Sequence, residues 1–232
     1  MDGAMIDGIA VFPLPGCREP LSSLSHMVGA GVFTAMAVLL IRRGRGDWVR
    51  TASLFVMAAS SVLLLLLSSA YHLTWPGPAR EFLLRADVAG IFLLIAGSMT
   101  PIHAILFDGR SRWLTLVLIW TIAVVGILLR MIYHEFVTDA VGVSIFLLCG
   151  WGSLVTAIIL WRRYGWKFMK PAVLAGTSYT LGAIVLLFHG PTLVHGVMGP
   201  HELWHIAVLI GLSMHWRFVF QFASGPDPML SA

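Results

Sequence analysis

Two histidines, His201 and His205, stand four residues apart in the run HELWH. On a helix, residues i and i+4 share a face, so both imidazoles can grip one metal ion. Ser68 and His72 repeat that spacing in SSAYH, and Asp87 is an isolated carboxylate just inside an apolar run. Three neutral imidazoles with one position left open make a catalytic type of tetrahedral zinc site. His72, His201 and His205 are therefore the expected metal ligands, with Zn2+ as the expected ion. Such an ion lowers the pKa of water to about 7 and polarises a carbonyl. Asp87 is placed to orient or deprotonate that water, or to accept from a histidine N–H. A plainer reading keeps Asp87 as a helix-start acid favoured by the macrodipole. HELWH also satisfies H-E-x-x-H, in which Glu202 would be the general base of a metalloprotease. Against that, only Asp227 follows as an acidic residue, near the end of the chain.

The elements that must hold these residues are membrane helices. The chain is 58% apolar and 11% charged, with a mean hydropathy of +0.88. A soluble domain carries about 25% charged residues, and too few remain here to cover a water-facing surface. The same numbers exclude disorder. Cys17 and Cys149 make no disulfide framework. No cleaved signal is expected, because the first residues carry Asp2, Asp7 and Glu19 and lack a basic segment.

A spanning helix needs about 20 largely apolar residues. Stretches of that kind run over 20–41, 51–79, 88–107, 113–129, 140–161 and 171–201, with a further one over 203–222. The stretch from Pro171 is too long for one helix and breaks at Gly190-Pro191 and Gly199-Pro200. The sixth helix is thus expected to end near His189, and the seventh to begin near Pro200, with proline in its favoured first-turn position. The expectation is an all-α integral membrane protein with seven transmembrane helices in one bundle over 20–222. An N-terminal tail (1–19) and a short disordered C-terminal tail (223–232) flank it. No sheet is expected, since only helices and closed barrels satisfy the backbone in lipid.

Loop charges give an orientation. On the side of the N-terminus lie Arg18, Arg80, Arg85 and Arg130, a total of 4. The other side holds 11: Arg42, Arg43, Arg45, Arg50, Arg110, Arg112, Arg162, Arg163, Lys167, Lys170 and Arg217. The positive-inside rule puts that second side and the C-terminus in the cytoplasm. The net charge of +4 is read as this loop bias rather than as nucleic-acid binding. The basic loops over 42–50 and 162–170 are ordinary positive-inside segments, with anionic headgroup binding as the alternative. His26, His72, His134, His189, His195, His201 and His205 all fall on the N-terminal side, which leaves only His103 and His215 of the 9 histidines in the other half. His205 sits about 9 Å beyond Gly199 along its helix. Ionisable groups at that depth are costly and usually functional. Arg130 and Glu135 flank His134 where an entrance could lie. Gly90, Gly97, Gly126, Gly150, Gly152, Gly176 and Gly182 are expected to mark helix contacts.

The ordered set of Ser68-x-x-x-His72, Asp87, GSMTP at 97–101 and His201-x-x-x-His205 resembles the hemolysin III branch of the progestin and adipoQ receptor family, over about residues 19–222. That family lies in a superfamily that includes alkaline ceramidases. The resemblance implies seven helices and zinc held by His72, His201 and His205, with Asp87 and Ser68 as further site residues. It also implies a place in a bacterial plasma membrane and a lipid substrate or ligand. Lipid-amide hydrolysis, as of a ceramide, is attributed to relatives. A non-enzymatic metal-stabilised receptor or a pore-forming haemolysin is the alternative. The adiponectin-receptor branch is described with its N-terminus inside, opposite to the charge count.

Overall fold

The computed structural model describes residues 4–6, 9–133 and 139–225. His134, Glu135 and Asp227 lie outside the described residues. Seven helices follow one another: α1 Pro20–Arg43, α2 Trp48–Leu73, α3 Pro78–Leu106, α4 Gly109–Ile132, α5 Asp139–Trp151, α6 Leu154–Leu187 and α7 Pro200–Phe220. Ahead of them, β1 Ala4–Ile6 pairs antiparallel with β2 Ile9–Val11. This hairpin precedes the first span, so the membrane part is all helix.

The helix boundaries follow local chemistry. Proline occupies the first turn of α1, α3 and α7, where its missing N–H has no intrahelical partner to lose. Asp47 precedes α2, and its carboxylate accepts the Arg50 N–H at 2.9 Å. Helix α3 begins ten residues before the uncharged stretch that marks it in the sequence. Arg80, Glu81, Arg85 and Asp87 sit inside the helix, in its first three turns.

Among the described residues, six helical stretches are long and apolar enough to cross a membrane, against the seven expected. The difference lies over Ser144–Leu187, where two expected spans form one apolar helical stretch of 44 residues. Glycines and Pro171 occur in this stretch without ending it, and helical content continues across the basic segment that separates the two expected spans. Residues 152–153 form a turn between α5 and α6, and within α6 Gly165 leaves helical geometry, at φ 77° and ψ 177°, a region that an L side chain rarely adopts.

Neighbouring helices pack in the order α6, α7, α1, α2, α3, α4, with α5 against α3 and α6. The core runs through Leu54, Met57, Leu65, Leu212, Trp216 and Phe218. Close approach depends on small residues. A Cβ on Gly97 would stand 2.0 Å from Ser60 Oγ, and one on Gly182 would stand 2.5 Å from Ala207 Cβ. Gly90 and Gly126 face Leu64 and Phe92 in the same way, whereas Gly150 and Gly176 meet nothing within 4 Å. Those last two do not mark a helix contact. At the far end, Phe222 and Ala223 are buried in the core, and Arg50 donates to the Ser224 carbonyl at 2.5 Å. The chain is thus packed past the point where a tail is expected to start.

Candidate metal centre

Four chain segments meet at the end of the bundle nearest the N-terminus. Helix α2 delivers Ser68 and His72 in its last turns, and α7 delivers His201 and His205 in its first two turns. Helix α3 brings Asp87, and the residues ahead of α1 bring Glu19. His72 and His205 are buried, and His201 is half-buried. Donor atoms of His72, His201 and His205 all lie within 4.8 Å of one another.

The three imidazoles converge through one kind of nitrogen. His201 Nε2 lies 3.3 Å from His72 Nε2 and 3.2 Å from His205 Nε2. Ligands at 2.0–2.1 Å from a tetrahedral zinc are about 3.3 Å apart by simple trigonometry. A neutral imidazole has one N–H and one lone pair. His201 Nε2 can therefore donate to at most one of its two neighbours, and a second close contact opposes lone pairs. A cation accepting all three lone pairs removes that conflict. The donor set fits a metal ion.

A carboxylate that the sequence reading passed over completes the arrangement. His72 Nδ1 donates to Glu19 Oε2. Arg80 Nη2 donates to Glu19 Oε1 at 2.5 Å, and Arg18 Nε stands 3.4 Å from the same oxygen. Burial pushes the Glu19 carboxyl upward, but the hydrogen bond and charge of His72, together with Arg80, outweigh it and hold the group below the usual carboxylate range. Backbone bonds fix the segment as well, with Glu19 N–H donating to the His72 carbonyl at 3.1 Å. Glu19 carried no local signal, because its contact with His72 spans 53 positions. The expected acceptor for a histidine N–H was Asp87. Asp87 instead pairs with Ser68 and lies near His72. It stands beside the three-histidine group and outside it.

Glu202 is engaged elsewhere. Its Oε1 accepts the Ser22 hydroxyl at 2.9 Å, and its Oε2 accepts the Gly199 N–H at 3.0 Å. This carboxylate caps α7 and ties it to α1. His26 is buried against the site, its ring stacked on His205 with centroids 4.0 Å apart. His195 lies in the loop ahead of α7, edge-on to Phe12 at 6.0 Å. His103 and His215 sit at the other end of the bundle, beside Thr156 and the Ser98 carbonyl.

An apolar helical bundle with a buried three-histidine cluster at one end defines a class of integral membrane protein that can hold a metal ion. The chain belongs to the haemolysin-III-related family, whose match covers residues 17–216. It is 26% identical to Hemolysin-3 of Bacillus cereus over 199 residues, which is 85% of this chain and 88% of that one. It is 24% identical to a Hemolysin-3 homolog of Bacillus subtilis (strain 168) over 197 residues, covering 84% and 89%. The match takes in Glu19, Ser68, His72, Asp87, His201 and His205.

Proposed function

We propose that this protein is a zinc-dependent hydrolase of a lipid amide, of the ceramide kind, with its site at the membrane boundary. The observation that carries the reading is the convergence of three Nε2 atoms beside a carboxylate that is not itself in the ligand group. Bound there, zinc supplies Lewis acidity toward a carbonyl and acidifies water. Asp87 then takes the proton of the attacking water and returns it to the leaving amine nitrogen as the C–N bond breaks. Ser68 holds the Asp87 carboxylate in place. The surrounding helices exclude bulk water and leave the acyl chain in an apolar setting.

A second reading treats the ion as a clip. His72 lies on α2 and the other two ligands on α7, so a metal would join helices far apart in sequence and add folding energy without turnover. This is the state expected of a receptor or a pore-forming haemolysin. The buried position of His72 and His205 favours it. The protease reading has less support, since both Glu202 oxygens already accept hydrogen bonds.

The proposal includes seven crossings and the division into tails and a transmembrane unit over 20–222. Phe146 packs on Phe92, Thr156 approaches His103, and Arg163 donates to the Leu106 carbonyl. That segment runs in the direction of α3. Beyond Gly165, Gln221 donates to the Phe168 carbonyl, and Ser178 donates to the Ala207 carbonyl. That segment runs against α7. A reversal at Gly165 supports two spans where one stretch is continuous in helical content. We place the protein in a bacterial plasma membrane, with the basic loops in the cytoplasm and the site on the opposite face.

The test is hydrolysis of a panel of lipid amides by the purified protein, with zinc content measured in the same samples. Full zinc occupancy without turnover would leave the clip.

A further inference from the structure

We propose that Glu19 is a positioning residue of the metal centre. Its carboxylate, set by Arg80, holds His72 with Nδ1 protonated and Nε2 turned toward the ion. The inference rests on the metal-binding reading above.

The position of Glu19 argues that its side chain is not there for the helix it precedes. It is the N-cap residue of α1, where a side-chain oxygen ordinarily accepts an N–H of the first turn. Glu19 makes no such bond. Its carbonyl accepts the Ser23 N–H at 3.0 Å, the ordinary first bond of the helix. Both carboxylate oxygens turn away from α1. One accepts from His72, and the other meets Arg80 and Arg18. The side chain is 1% exposed. A buried carboxylate is costly unless paired and hydrogen-bonded, so the chain tolerates it here only because these partners are fixed.

Arg80 is fixed by more than the ion pair. Its Nη1 donates to the Tyr71 carbonyl at 2.8 Å and to the Thr74 carbonyl at 2.7 Å. Its guanidinium also lies over the Tyr71 ring, 4.2 Å from the centroid. Arg80 therefore closes the C-terminal end of α2, the helix that bears His72, and presents its other nitrogen to Glu19. The order of contacts is Arg80 to Glu19 to His72. An acceptor on Nδ1 decides the tautomer, and the remaining lone pair is on Nε2. That is the atom facing His201 Nε2 at 3.3 Å. A carboxylate partner also makes an imidazole a stronger ligand, and losing such a partner typically costs ~10–100-fold in metal affinity.

The experiment uses the full chain, stripped of metal and titrated with Zn2+ against a competing chelator. Wild type, Glu19→Gln, Glu19→Ala and His201→Ala are compared. Glu19→Gln keeps an acceptor for His72 but loses the charge, and it should bind zinc roughly tenfold more weakly. Glu19→Ala should fall toward the far end of the ~10–100-fold range. Melting temperatures are read with and without zinc. A role confined to packing lowers the metal-free value and leaves the zinc-induced rise unchanged. Positioning shrinks the rise, because stabilisation by a ligand follows its Kd. If Glu19→Ala does not fold, Glu19→Gln decides alone. Zinc binding by Glu19→Gln as tight as wild type, while His201→Ala loses the ion, overturns the positioning role and leaves the metal centre standing. Equal zinc binding by wild type and His201→Ala overturns the centre and this inference with it.

Discussion

Ser22 and Glu202 are hydrogen-bonded across 180 positions of sequence, the hydroxyl donating to Oε1 at 2.9 Å in a buried setting. The bond fastens the start of α7 to the start of α1, and the Gly199 N–H takes the other oxygen at 3.0 Å. His201 and His205 are thereby set on a capped helix end. The same bond bears on how HELWH is read. One carboxylate oxygen serves the helix cap and the other the tie to α1, so both are already engaged in holding the start of α7.

The metal comes first among the expected outcomes. Purified protein should carry about one zinc per chain, and His72→Ala, His201→Ala and His205→Ala should each lose most of it by metal analysis. His189→Ala and His195→Ala should retain it, since neither residue belongs to the converging group. Stripping the ion should lower the melting temperature. At free zinc of 100 times Kd, the ligand contributes about 2.7 kcal/mol of stability. Full occupancy in all three histidine variants would remove the site.

The sequence shows parts of this site for definite reasons. His201 with His205, and Ser68 with His72, are neighbours at i,i+4, so helical periodicity alone pairs them. Bringing α2 to α7 is a tertiary event that no local period encodes, and only the ordered motif set pointed to it. Glu19 lay in a stretch read as a tail, and its partners His72 and Arg80 are 53 and 61 positions away. The spans stood out because lipid demands long apolar runs. The basic segment over 162–170 marked a break between two spans, and the structure keeps helical content across it except at Gly165. The helix contacts at Gly97 and Gly182 were visible as small residues, but so were Gly150 and Gly176, which touch nothing. Composition marks where a close approach is allowed, and packing decides where it happens.

Packing at Gly97 gives a stability outcome independent of the metal. A Cβ there would meet Ser60 Oγ at 2.0 Å and Ser60 Cβ at 2.7 Å, so α2 and α3 must separate to admit it. Overpacking of this kind costs ~1–3 kcal/mol. Gly97→Ala should therefore lower the melting temperature of detergent-solubilised protein. Gly150→Ala, with open space around it, should be neutral or mildly stabilising. Equal melting temperatures for Gly97→Ala and wild type would show that this helix contact is loose.

Orientation is decided by labelling. By the positive-inside rule, the 11 basic residues of one side against 4 of the other predict a cytoplasmic C-terminus. A tag at the C-terminus should then be protected from an impermeant reagent in intact cells, and a tag ahead of Arg18 should react. The reverse pattern would turn the metal centre toward the cytoplasm, as in the adiponectin-receptor branch.

The variants Asp87→Asn and Glu202→Gln separate the three chemistries. In lipid-amide hydrolysis, Asp87 moves the proton, and such a group contributes roughly 10²–10⁴-fold to rate. Asp87 stands outside the three-histidine group, so its replacement should leave zinc content and fold intact. Asp87→Asn is thus expected to keep the metal and lose turnover of a ceramide-like lipid by that factor. Glu202→Gln should keep turnover, because an amide oxygen still accepts from Ser22, while the loss of a charged partner at Gly199 lowers stability. In a protease the order inverts, and Glu202→Gln abolishes cleavage of a membrane peptide while Asp87→Asn is tolerated. For a structural clip neither variant alters any turnover, and only the histidine variants lose the stabilisation that zinc confers. Assays on both substrate classes, with zinc measured in each sample, distinguish these outcomes. A protein fully loaded with zinc and inert toward a broad lipid-amide panel would refute the hydrolase.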